Sequence, residues 1–158
     1  IADLAVADGE DDGGVLIVLK GEGGESLVIA IGLAEATAIA KELQELEFSR
    51  PLTHDLMRDI VDTLGARVDR VEILELRDGT YYAELVIVDS GGQTRRIDSR
   101  PSDAIALALR TGSPVFADEQ ILIQDDPEAQ EFPPATDKES WKKILEGMTP
   151  EDFGKYKM

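Results

Sequence analysis

The chain has 158 residues, no cysteine, a single histidine and a formal net charge of −17 at neutral pH. That length suits one domain with a core of its own. The missing cysteines exclude disulfides and thiolate metal sites and suit a reducing, cytoplasmic compartment. A lone histidine excludes a histidine metal cluster, so any bound ion would be held by oxygen.

The charge is unevenly spread. Residues 1–49 carry eleven acids and two lysines, residues 50–110 eleven acids and nine arginines, and residues 111–158 eleven acids and five lysines. Every arginine therefore lies in the central stretch, which contains no lysine. Arginine suits bidentate contacts to carboxylate or phosphate, and eleven neighbouring acids offer it partners. The acidic shell favours solubility, repels nucleic acid at long range and fits adaptation to high salt. No apolar run reaches the ~20 residues that would span a bilayer, so no membrane association is expected. The chain opens on Ile1 rather than methionine, which leaves room for a preceding segment.

Residues 2–7 alternate like an edge strand, and the acidic D-G-E-D-D-G-G at 8–14 reads as a solvated turn without the spacing of a calcium loop. Residues 15–20 and 27–31 are continuous β-branched runs and predict a buried hairpin. A helix is expected over 33–46, with Ala34, Ala38, Ile39, Leu43 and Leu46 inward and Glu35 favoured by the dipole at its first turn. The next helix is expected to be capped by Thr53, with a Leu52–Met57 staple, to bury Leu56, Ile60 and Leu64, and to stop at Gly65. Three strands at 67–76, 81–88 and 93–98 form a meander, with Asp78-Gly79 as the first turn. A helix over 101–110 follows. It is apolar on every face from Ala104 to Leu109, so it belongs in the middle of the domain. A short strand at 115–117 and an apolar patch at 121–123 complete the domain (1–123). Residues 124–136, rich in Asp, Glu and Pro, read as a linker. Residues 137–158 read as a helical tail with Trp141, Ile144, Leu145 and Met148 on one stripe.

Two helix entries concentrate the chemistry. Ser-Arg-Pro occurs at 49–51 and at 99–101, and each copy leads into an aspartate on the first turn of a helix. Arg50, His54 and Asp55 belong to the first entry; Arg100, Ser102 and Asp103 belong to the second. First-turn N–H groups favour anions and acceptor side chains, so the same residues serve a phosphate site or an ordinary helix cap.

The segments I-G-L-A-E-A-T-A-I-A, R-P-L-T-H-D-L and I-D-S-R-P-S-D-A-I-A-L-A-L-R, spanning about residues 31–116, resemble the bifunctional nuclease family, long catalogued as a domain of unknown function. The preceding strand usually reads L-P-I-W-I-G in that family; here it is L-V-I-A-I-G, with Val28 and Ala30 at the variant positions. The resemblance implies a single α+β domain with a mixed, largely antiparallel sheet, oligomers (a homodimer or higher) and action on DNA and RNA. Phosphodiester hydrolysis needs an activated water and neutralisation of phosphoryl charge, usually with a divalent ion such as Mg or Mn and no organic cofactor. On that reading His54, Asp55 and Asp103 are the catalytic candidates, with Asp55 and Asp103 also the metal ligands. Arg50, Arg100 and Ser102 bind substrate. The alternative is a non-catalytic binding or regulatory domain whose Arg–Asp pairs, of the type Arg50–Asp103 and Arg100–Asp55, lock the helix ends.

Overall fold

A computed structural model describes residues 3–8 and 15–124. In order these form β1 (Asp3–Asp8), β2 (Val15–Lys20), β3 (Glu25–Ile31), α1 (Leu33–Leu43), α2 (Thr53–Thr63), β4 (Arg67–Arg77), β5 (Thr80–Val88), β6 (Thr94–Ser99), α3 (Pro101–Thr111), β7 (Val115–Ala117) and β8 (Ile123–Gln124). The fold is α+β, but with two four-stranded sheets where the sequence suggested one. The first, ordered β1-β2-β3-β8, is antiparallel throughout. The second, ordered β6-β5-β4-β7, is antiparallel except that β7 runs parallel to β4.

Both hairpins follow from local chemistry. β2 and β3 pair from Val15↔Ile31 to Lys20↔Ser26, and Ile17, Val18 and Leu19 are all buried, so both strand faces are covered. At the tip of β4–β5, Asp78 and Gly79 have φ of 51° and 75°. That pair of left-handed residues matches the twist of the flanking strands, and Asp and Gly tolerate it best.

α3 is the centre of the molecule. Pro101 occupies its first position, and Gly112 ends it at φ 65°, a left-handed cap. Between them Ala104 to Ala108 are buried, and the helix touches α1, α2, β4 and β5. Burial of Ile105 and Leu107 contributes about 1.5–3 kcal/mol each, within one core cluster that also takes side chains from β2, β3, β4, β5 and α1.

Four sequence expectations are corrected. α1 stops at Leu43, its buried residues are Ala36, Ile39 and Ala40, and Ala34 and Leu46 are exposed. α2 is capped at Leu52, not Thr53, because the Asp55 carboxylate accepts the Leu52 N–H at 2.8 Å. The expected stripe of α2 faces outward: Leu56, Ile60 and Leu64 are 54, 49 and 69% exposed. His54 and Asp55 are buried instead, with Met57 and Val61 against the core. Ion pairs from α1 and α3 hold the two polar residues inward and so fix the rotation of the helix. The linker expected from residue 124 starts inside a strand, since Gln124 pairs with Glu25. The rest of it, the acidic turn over 9–14 and the tail at 137–158 lie outside the described residues.

Candidate active site

The first turns of α2 and α3 meet. The Asp103 carboxylate lies 3.1 Å from His54 Nε2 through Oδ1. It also accepts two hydrogen bonds from Arg100, from Nε at 2.7 Å and from the terminal nitrogen at 3.1 Å. The other terminal nitrogen of Arg100 reaches Glu35 on α1 at 2.8 Å. Burial raises the Asp103 carboxyl, but the bonds from Arg100 and His54 outweigh it and hold the group below the usual carboxylate range. An ionised carboxylate only accepts, so a neutral His54 must carry its proton on Nε2. Nδ1 takes no hydrogen bond among the described residues, and its lone pair is left for another donor.

Glu35 owes its reach to the glycine that begins α1. Gly32 has an ordinary φ of −74°, but a Cβ there would lie 2.5 Å from Glu35 Oε2. The absence of a side chain at 32 leaves room for the Glu35 carboxylate in the position where its other oxygen pairs with Arg100.

Asp55 has a different office. Lys41 Nζ donates to both its oxygens at 2.8 Å, Arg110 Nε donates at 2.6 Å, and the Leu52 N–H completes the shell. Burial raises this carboxyl, but the bonds from Lys41, Leu52 and Arg110 dominate and depress it far below the usual range. The Arg110 side chain is fully buried, and its other donors meet the carbonyls of Ala106 and Ala38. Asp55 and Arg110 thus tie α2, α3 and α1 together.

The two Ser-Arg-Pro copies are out of register. Arg100 is the cap residue of α3, whereas Arg50 precedes the cap of α2 by two residues. His54 and Ser102 are equivalent second positions, and Asp55 and Asp103 equivalent third ones. Arg50 is exposed, on a cleft of ≈ 460 Å³ between α1 and α2 that also holds Phe48 and Arg58, and it has no ion pair among the described residues. Ser102 is buried and lines a separate cleft beside Arg100. The pairs that lock the helix ends are Arg100–Asp103 and Arg110–Asp55, in place of the pairs expected.

Residues 17–130 match the bifunctional nuclease domain. The chain belongs to that family. It is 38% identical over 147 residues to an uncharacterized protein of Mycobacterium tuberculosis, covering 88% of this chain and 87% of that one. It is 30% identical over 113 residues to bifunctional nuclease 1 of Oryza sativa subsp. japonica, covering 69% of this chain and 34% of that protein. Bifunctional nuclease 2 of Arabidopsis thaliana is 29% identical over the same length and coverage. The chain thus spans about a third of these plant proteins. Within this bifunctional nuclease domain, sequence reasoning missed Lys41 and Arg110 and gave Glu35 only a dipole role. A charged residue closing an otherwise apolar helix, as Arg110 does, was the available signal, since a buried guanidinium requires partners.

The donors present do not fit a resident divalent ion held by Asp55 and Asp103. Among the described residues no three His, Asp or Glu side chains are grouped to hold one. Both Asp55 oxygens face cationic or N–H donors, and both Asp103 oxygens face Arg100 or His54. Among the described residues no helix is long and apolar enough to cross a membrane.

Proposed function

We propose that this bifunctional nuclease domain hydrolyses phosphodiester bonds of nucleic acid at the His54–Asp103–Arg100 cluster. The observation that supports it best is the 3.1 Å link between the two helix starts, which pairs a histidine with an ionised carboxylate beside an exposed guanidinium. His54 Nδ1 takes a proton from water, and the water oxygen bonds to phosphorus. The bond from phosphorus to the leaving sugar oxygen breaks, and that oxygen takes the proton back from the imidazolium. Asp103 orients the ring and offsets its positive charge, as a carboxylate does for a histidine base. Arg100 has five N–H donors, of which three are used on Asp103 and Glu35. Two remain for non-bridging phosphoryl oxygens. No step depends on an ion.

The test is cleavage of labelled DNA and RNA oligonucleotides by wild type and His54→Asn, with magnesium, with manganese and with chelator. The reading expects cleavage by wild type and its loss in the variant.

The locked Asp55 favours a second reading, a binding domain in which such pairs are structural throughout. That reading predicts no cleavage under any of these conditions. A homodimer is part of the first reading, because the outward face of α2 carries Leu56, Ile60 and Leu64. Light scattering of wild type against Ile60→Glu tests it, with the variant expected to be monomeric.

A further inference from the structure

We infer that the cleft on the far side of Arg100 receives one unpaired nucleobase next to the phosphate held by that residue. The assignment rests on the proposed phosphate role of Arg100 and adds to it the part of the nucleotide that lies alongside.

Arg100 and Glu35 form a wall between two clefts, and both residues line each of them. One cleft, ≈ 560 Å³, holds His54 and Asp103. The other, ≈ 530 Å³, lies between the outer face of β3 and the tip of the β4–β5 hairpin. Its walls are mostly apolar: Val28 and Ala30 on β3, Leu76 and Tyr81 at the hairpin. Both volumes fall in the ~300–1,000 Å³ range of small-molecule sites. Ala30 and Gly79 contribute almost no side chain, which leaves room for a planar ring beside Tyr81. The charged side chains lie at the Arg100 end, Thr80 adds a hydroxyl at the hairpin, and the hydroxyl of Ser102 beside Arg100 takes no hydrogen bond among the described residues.

This arrangement matches a nucleotide better than a paired duplex. A base in a stack hides its apolar faces, and an apolar slot gains nothing from it. An extruded base brings both faces to be buried, and an aromatic wall suits it whatever its sequence. The anionic phosphate is then left at the charged end beside Arg100, and the Ser102 hydroxyl is free for a base or sugar group. The acidic shell makes this apolar contact the more necessary, since the net charge of −17 opposes any polyanion.

The experiment measures binding of a fluorescein-labelled oligothymidylate 12-mer, a blunt DNA hairpin of equal length and a 12-mer of abasic residues, by anisotropy. It uses the full chain carrying His54→Asn, so that substrate is not consumed, alone and with Ala30→Phe or Leu76→Ser added. Ala30 and Leu76 are exposed, and a thermal melt on each variant checks the fold. The expected result is that oligothymidylate binds about tenfold tighter than the hairpin or the abasic strand. Each added substitution should remove about tenfold, the size of one base–aromatic contact. Equal binding of all three ligands, or no change on Ala30→Phe in a folded protein, overturns the assignment. Cleavage that depends on His54 while Ala30→Phe is silent overturns the base site alone. Binding with these sensitivities and no cleavage by wild type keeps the base site and removes the nuclease reading.

Discussion

His54 and Asp103 stand 49 residues apart in the chain and 3.1 Å apart in the fold. Each lies on the first turn of its own helix, so the bond fixes the starts of α2 and α3 against each other. It also fixes the tautomer of the sole histidine. Fold stability and proposed chemistry therefore share one contact, and variants must be read for both.

Asp103→Asn separates the two. The amide keeps the shape and an acceptor oxygen but loses the charge that holds Arg100 and selects the Nε2–H tautomer. Cleavage should fall by about 10²–10⁴, the range of general-base contributions, while the melting temperature drops by only a few degrees. Stopped cleavage assays and calorimetry on the same preparation check this.

Asp55→Asn should do the opposite. It removes the nearest anion of Lys41 and of the fully buried Arg110, which keeps Glu42 at 3.8 Å, a loss of about 3–5 kcal/mol, or roughly 10 °C in melting temperature. The pH dependence carries the same sign. The folded carboxyl is depressed below its unfolded value of about 3.9. Its stabilisation is complete above that pH and is lost as pH falls towards the folded value. Melting curves from pH 6 to 3 should show wild type losing stability and Asp55→Asn losing less.

Gly32→Ala tests the glycine at the start of α1. The new Cβ meets the far end of a flexible side chain, so the fold should tolerate it, but the Glu35 carboxylate, whose other oxygen pairs with Arg100, must shift against Arg100. KM should change by about two- to fivefold, the size of a partly exposed ion pair, with kcat nearly unchanged. An unaltered KM would mean that Glu35 does not position Arg100.

Much of this was legible in the sequence, for definite reasons. The apolar run of α3 forced its burial, Asp78-Gly79 dictated a hairpin, and the resemblance to the bifunctional nuclease family implied the α+β class. The rotation of α2 was not legible. Leu56, Ile60 and Leu64 form the better apolar stripe, and they lost because Lys41, Arg110 and Asp103 pull His54 and Asp55 inward. Those partners lie 14, 55 and 49 residues away, beyond any local periodicity. The same distance hid the split between the two aspartates. At the third position of their helices they look alike in sequence, yet one is sealed among cations and the other borders an open cleft.

Charge gives a further expectation. Most nucleic-acid proteins lose affinity steeply as salt rises, by counterion release. A chain of net charge −17 meets long-range repulsion instead, which salt screens. Association with an oligonucleotide should speed up between about 0.05 and 0.15 M salt. Stopped-flow anisotropy measures it; a slope of about −0.7 per contacted phosphate would show ordinary basic-patch binding.

The most direct test of the central claim is the single-turnover cleavage rate of a labelled single-stranded oligonucleotide by wild type and His54→Asn. Both proteins are purified identically, and a thermal melt accompanies each. If His54 is the base oriented by Asp103, the variant loses about 10²–10⁴ in rate while remaining folded. Cleavage by folded His54→Asn at the wild-type rate would contradict the account, and the activity would then belong elsewhere.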